Sequence, residues 1–229
     1  MYSNKKICKV QKIKEKQKDN VSPNKINKTD NNSKMNDDDD NESSGDMVSY
    51  EDNHIYFYDE VNTKSILLLI KYIKIINSKL QQLKMEMSIK YGSEIEPEIY
   101  LHINSYGGYI TDAMAGVDAI RNSRVPITTI IEGVAASSAT LLSIVGNKRQ
   151  INKNSSMLIH QLSGGFNGTH QQMKDDLINS NYLEEKCNSI YLENTKNKLT
   201  QKVLFETLKH DLWWSSEKCL KHGLVDEII

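Results

Sequence analysis

From Ile55 onward, short apolar runs alternate with longer stretches of helical spacing, and that alternation leaves the chain few folds to choose from. Ile55–Tyr58 reads as a first strand. The segment from about Thr63 to Lys90 then repeats Leu67, Ile70, Ile73, Ile76, Leu80 and Leu83 along one helical face. A strand over Ile99–Ile103 leads into a glycine turn and a helix carrying Ile110, Met114, Val117 and Ile120. Further strands are expected at 127–131, 148–152 and 156–160, with a helix over 139–145 after the first of them. A last long helical pattern, 169–197, sets Met173, Leu177, Leu183, Cys187, Ile190 and Tyr191 roughly along a face. Strands separated by helices imply an α/β fold with parallel pairing.

The first fifty residues are a different material. Lys, Asn, Asp and Ser dominate, with a basic start (Lys5, Lys6, Lys9, Lys12, Lys14) and an acidic block at Asp37 to Asp40. Ordering each residue costs roughly 1–2 kcal/mol of backbone entropy, and little apolar surface is present to offset it. Residues 1–50 are therefore expected to be a disordered head, and 51–229 one folded domain. The basic start is also compatible with an organelle transit segment, although such segments favour Arg and Ser and avoid acids.

Composition removes several function classes. The formal net charge of the 229 residues is −1, which gives no reason to expect a nucleic acid or an anionic membrane as partner. Cys8, Cys187 and Cys219 are scattered, with neither metal-ligand spacing nor a disulfide framework. They suit a reducing intracellular compartment, the cytoplasm ahead of an organelle. No apolar run approaches bilayer length, and the N-terminus lacks the apolar core of a secretory signal.

The chemistry concentrates in three places. Ser137, in Glu132-Gly-Val-Ala-Ala-Ser137-Ser138, follows an apolar strand and precedes a helix, flanked only by small residues. At a helix start the free N–H groups and the dipole favour negative charge, so an oxyanion formed there meets donors in place. The plainer alternative is a small-residue turn packed closely between strand and helix. His160 ends the strand Ser156-Met-Leu-Ile-His, where a structural rim histidine is the plainer reading. Asp211, in Leu208-Lys-His-Asp211-Leu-Trp-Trp, reads equally as a solvated turn or helix cap. Serine catalysis needs a base for the hydroxyl proton and a carboxylate to orient that base. All three residue types stand at element edges.

Five segments in order resemble the proteolytic subunit of the Clp protease, the ClpP family. Ile103-Asn-Ser-Tyr-Gly107-Gly108 is similar to its Asn-Ser-Pro-Gly-Gly turn, and Gly133-Val-Ala-Ala-Ser137 to its Gly-x-Ala-Ala-Ser motif. Met157-Leu-Ile-His160-Gln161 resembles its Met-Ile-His-Gln, Gly164-Gly-Phe-Asn-Gly168 its glycine-rich segment, and Gly223-Leu-Val-Asp its closing sequence. The match runs from about His54 to Ile229.

The resemblance implies the crotonase-like superhelix of ββα units, with a protruding handle formed by a strand at Gly164–Gly168 and the helix after it. It implies Ser137 as nucleophile, His160 as general base, Asp211 as its orienter, and an oxyanion hole from the N–H groups of Gly108 and Ser138. The implied activity is a serine endopeptidase that cuts unfolded polypeptides inside stacked homo-oligomeric rings, fed by a separate AAA+ Clp ATPase unfoldase. No metal or organic cofactor is implied. A non-catalytic ring subunit and a crotonase-type acyl-CoA enzyme are the alternatives. Tyr106 stands where the family turn has Pro, Leu162 replaces the Pro after His-Gln, and the 23 residues from Ser137 to His160 suggest a trimmed loop. The family's axial loop and short helix are not recognisable in the head.

Overall fold

The computed structural model describes residues 47–92 and 95–229. The disorder expected for the head falls on residues outside these, except at its end. Val48–Glu51 (β1) is a strand antiparallel to His54–Phe57 (β2), so the folded part begins earlier than residue 51. Val48 is buried in the core, which a four-residue strand in a polar stretch does not announce.

Thr63–Tyr91 (α1) crosses to Ile99–Ser105 (β3), which pairs with β2 in parallel. Asn62 caps α1 in a reciprocal box with Ser65, and Gly92 ends it in a left-handed turn at φ 59°. Ile73 and Ile76 of the stripe read from the sequence are on the buried face of α1, but before them the helix buries Ile66 and Leu69 in place of Leu67 and Ile70. Leu67 and Leu83 are exposed, while Ile70 and Leu80 only flank the core. Every position from Ile66 to Ile70 is apolar, so spacing alone left the face free to shift by one residue.

Ile110–Arg121 (α2) returns to Ile127–Ala136 (β4), a strand five residues longer than its apolar run. One edge of β4 pairs with β3. Along the other, Thr128–Ile131 pairs with Lys148–Ile151 (β5), and Val134–Ala136 pairs with Ser156–Leu158 (β6). Gly133, at φ 86°, marks the break between the two halves. Between β4 and β5 lies Ala139–Ile144 (α3), buried throughout. Then come His170–Asn194 (α4), Gln201–Leu208 (α5), Trp214–Ser215 (β7), Ser216–Lys221 (α6) and Glu227–Ile228 (β8). The sheet runs β1-β2-β3-β4-β5-β8, with β6 on β4 and β7 antiparallel on β6. The expected α/β architecture with parallel pairing is therefore present.

The strand expected at Gly164–Gly168 is not formed. The segment is exposed, and among the described residues no strand pairs with it. From His170 to Tyr182, α4 exposes nearly every side chain, Met173, Leu177 and Ile178 among them; only Ile190 and Tyr191 are buried. At the far end of the chain, the Arg149 guanidinium is 4% exposed and grips Asp226 through Nε (2.9 Å) and Nη2 (2.6 Å). Its Nη1 donates to the carbonyls of Asn194 (2.7 Å) and Gly223 (2.9 Å). This fork holds Asp226 well below the usual carboxylate range, outweighing the opposing effect of burial.

Candidate active site

β4 ends at Ala136, and Ser137 turns the chain into α3 with φ 53°, a left-handed conformation that non-glycine residues rarely adopt. That strain is over-determined by its neighbours. Ser137 N–H donates to Leu158 O (2.8 Å), and Ser137 O accepts from Thr140 N–H (3.0 Å) and Thr140 Oγ1 (2.5 Å). Thr140 Oγ1 also lies 2.5 Å from the Tyr191 hydroxyl, which burial pushes well above the ordinary tyrosine range. The serine is thus strapped to β6 on one side and to α4 on the other.

His160 stands two residues beyond β6, past fully buried Ile159, rather than on the strand itself. Its Nε2 lies 2.8 Å from Ser137 Oγ, and its Nδ1 lies 2.8 Å from Asp211 Oδ1. Asp211 is on the loop between α5 and β7, and Gln161 N–H donating to Leu208 O (2.9 Å) ties that loop to the histidine. The structure therefore brings the three residues into one hydrogen-bonded row. The carboxylate is the loosest member, its side chain 78% exposed. Ser138 Oγ, by contrast, is buried and has no hydrogen-bond partner, so of the serine pair only Ser137 faces the imidazole.

The glycine turn lies against this row. A Cβ on Gly107 would fall 2.6 Å from Ala136 O, 2.8 Å from Ser137 Cβ and 3.0 Å from Ser138 N. Gly108, at φ 155°, bridges to Val61, and a Cβ there would fall 2.1 Å from Val61 O. Glycine at 108 is therefore required by the backbone that anchors the turn. The N–H groups of Gly108 and Ser138 engage no other group among the described residues, and both residues line the same cavity as Ser137. Tyr106, in place of the proline, packs edge-on against Trp213 at 6.3 Å, joining the glycine turn to the Asp211 loop.

A cavity of about 110 Å³ opens onto Ser137 and His160, with Leu141, Leu162 and Leu208 on its walls and α4 behind. Cys187 on that helix is a buried-side thiol pushed up to about 11, mainly by burial, with Glu184 adding to the rise. Among the described residues no group of three or more His, Cys, Asp or Glu is arranged to hold a metal ion, and no helix is long and apolar enough to cross a membrane.

A second polar cluster escaped the sequence reading. On one face of the sheet His54 Nδ1 lies 2.8 Å from His102 Nε2, and His102 Nδ1 lies 2.8 Å from Glu132 Oε1. Tyr58 donates to the other oxygen of Glu132. Burial and this bond push the Tyr58 hydroxyl up to about 12. Burial would raise Glu132, but the bonds from Tyr58 and His102 outweigh it and hold the carboxyl below its usual range. Tyr56 stacks on His102 (4.7 Å) and Tyr100 on His54 (4.8 Å). β4 therefore carries this cluster before Gly133 and the serine after it.

Comparison with known proteins identifies the family. The chain is 33% identical over 136 residues to the ATP-dependent Clp protease proteolytic subunit of Deinococcus radiodurans. That alignment covers 58% of this chain and 66% of the relative, so the chain spans just under two thirds of that protein's length. The family model for the Clp protease matches residues 48–229, from the first strand to the last residue. The chain belongs to the Clp protease family.

Proposed function

We propose that this chain is the proteolytic subunit of an ATP-dependent Clp-type protease, a serine endopeptidase that hydrolyses unfolded polypeptides within a ring-shaped chamber. The observation that carries the reading is the row Ser137–His160–Asp211, with a 2.8 Å contact on each side of the imidazole. His160 Nε2 takes the Ser137 hydroxyl proton as Oγ attacks the scissile carbonyl, while Asp211 accepts from Nδ1–H and fixes the tautomer. The carbonyl oxygen gains a negative charge and is met by the N–H groups of Gly108 and Ser138. His160 then returns the proton to the leaving amine. Water, deprotonated by the same imidazole, releases the acyl group. Nucleophile, base and oxyanion donors in this scheme all belong to the chain, and the only other reactants are the peptide and water, so it uses no cofactor.

Assembly is the second part of the proposal. An exposed segment at 163–167 outside any helix or strand, next to a helix exposing Met173, Leu177 and Ile178, suits a face between subunits. Two rings stacked through these handles would close the chamber, and a separate AAA+ Clp ATPase would supply unfolded chains to it.

Labelling with a fluorescent fluorophosphonate, alongside cleavage of a fluorogenic peptide, tests the catalytic reading. Wild type and Ser138→Ala are expected to label and cleave. Ser137→Ala should do neither, with turnover down on the order of 10⁶, and Asp211→Asn should retain the fold while turnover falls about 10⁴-fold. A wild-type protein that assembles but never labels would instead be a non-catalytic ring subunit.

A further inference from the structure

The nucleophile turn carries a buried row of hydroxyls that the acyl-transfer scheme does not use. Thr140 is 0% and Tyr191 4% exposed, so neither hydroxyl can turn to water. Thr140 Oγ1 lies 2.5 Å from Ser137 O and 2.5 Å from the Tyr191 hydroxyl. The direction of this row is forced. A carbonyl oxygen can only accept, so the single hydroxyl hydrogen of Thr140 goes to Ser137 O. Tyr191 must then donate to Thr140. The row runs from the Tyr191 O–H through the Thr140 O–H to the Ser137 carbonyl, and its far end is anchored in α4.

The Ser137 carbonyl shares its peptide unit with the Ser138 N–H, the candidate oxyanion donor. That unit is planar and trans, so its N–H points opposite to its C=O. Whatever fixes the carbonyl therefore fixes the donor. Ser137 O accepts twice, from Thr140 Oγ1 and from Thr140 N–H at 3.0 Å, which turns the Ser138 N–H to the side away from Thr140. Among the described residues nothing else engages that N–H. The glycine turn comes close to the same nitrogen, where a Cβ on Gly107 would stand 3.0 Å from Ser138 N. Two donors on the carbonyl also draw electron density from the amide nitrogen, which strengthens its N–H as a donor. The hold is needed because Ser137 sits at φ 53°: a serine free to relax would leave that region and rotate the peptide with it.

We infer that Thr140 and Tyr191 are positioning residues for oxyanion stabilisation: their hydroxyls, acting in series, aim and polarise the Ser137–Ser138 peptide. The inference rests on the reading that Ser137 is the nucleophile. Thr140 acts directly on the carbonyl, and Tyr191 acts only through Thr140. Such a hold matters most once charge has developed on the substrate oxygen, so its loss lowers kcat and leaves KM nearly unchanged.

The test uses the full-length protein, a fluorogenic peptide and melting followed by circular dichroism. Thr140→Val removes the hydroxyl and keeps the shape; kcat should fall about 10²-fold with KM within about threefold of wild type. Thr140→Ser, which keeps the hydroxyl, should rescue kcat to within about threefold. Tyr191→Phe should cost less, about fivefold, because Thr140 retains its own bond to the carbonyl. Thr140→Val by itself also strands the Tyr191 hydroxyl, so it should melt early. Adding Tyr191→Phe replaces both partners by apolar groups and should restore the Tm. In that double variant kcat should stay as low as in Thr140→Val, since Tyr191 has nothing left to act through. A double variant that recovers kcat along with Tm, or a Thr140→Val whose loss lies in KM, overturns the inference. Labelling by a fluorophosphonate is run on each protein. A wild type that labels while the double variant turns over normally refutes the positioning role alone, whereas a wild type that never labels refutes the catalytic reading and this inference with it.

Discussion

Gly108→Ala is the substitution whose outcome the geometry constrains most tightly. A Cβ built at Gly108 lies 2.1 Å from Val61 O, 2.9 Å from Val61 C and 3.0 Å from Glu60 Cγ. To restore ordinary contact the turn must move away from Val61 by more than about 1 Å. Two backbone bonds oppose that movement, Val61 N–H to Gly107 O (2.9 Å) and Tyr109 N–H to Val61 O (2.8 Å). Losing both costs about 1–3 kcal/mol in total, a fall of a few degrees in Tm that leaves the protein folded. The effect on turnover is larger, because the displaced residue carries a candidate oxyanion donor. Removal of one such donor costs about 10²–10³ in kcat, and a displacement near 1 Å has a similar effect. Steady-state kinetics with a short fluorogenic peptide, paired with circular dichroism melting, separates the two consequences. Gly108→Ala with a lowered Tm but kcat within threefold of wild type would show that the oxyanion is held elsewhere.

Two further outcomes follow from other parts of the molecule. Asp226→Ala leaves the buried Arg149 charge without its partner, which costs about 3 kcal/mol, or roughly 6–12 °C in Tm for a domain this size. Because the folded Asp226 carboxyl is held below its ordinary value of about 3.9, its contribution is complete above that pH and is lost as pH falls below it. The Tm gap between wild type and variant should thus be constant near neutrality and shrink below about pH 4; a gap that widens in acid contradicts the ion-pair account. Leu177→Asp combined with Ile178→Asp should reduce the particle mass measured by light scattering, since both side chains are exposed on the single chain; unchanged mass and peptidase activity would place this face outside any subunit contact.

The sequence carried most of the site but not its mechanics. Ser137, His160 and Asp211 were each legible because small residues, a strand end and a turn are local patterns. The left-handed backbone at Ser137 was not, because a serine at φ 53° is held there by Leu158 and Thr140, which no local rule connects to it. β4 was read only as far as Ile131, since Glu132 and Gly133 end its apolar run, yet pairing with β3 and β6 carries the strand on to Ala136. The face of α1 differs by one residue only at its start, where Ile66 to Ile70 are apolar on every side; Ile73 and Ile76 are buried as expected. Gly164–Gly168 was expected from a resemblance rather than from β-forming residues, and among the described residues nothing pairs with it. The cluster of His54, His102 and Glu132 was invisible because its members lie 48 and 30 residues apart, and only the register of three parallel strands aligns them.

That cluster also fixes which way hydrogens run across this face of the sheet. Glu132 accepts from both Tyr58 and His102 Nδ1, so in the neutral pair His102 Nε2 has only a lone pair to offer, and His54 Nδ1 must carry the hydrogen between the rings. All the donors then point one way, toward the carboxylate. A change of tautomer in either ring alone would set N–H against N–H, or lone pair against lone pair, across a 2.8 Å gap. The row therefore reads the same way from β2 through β3 to β4, and a slip of one residue in the register of any of these strands would break its sense as well as its contacts.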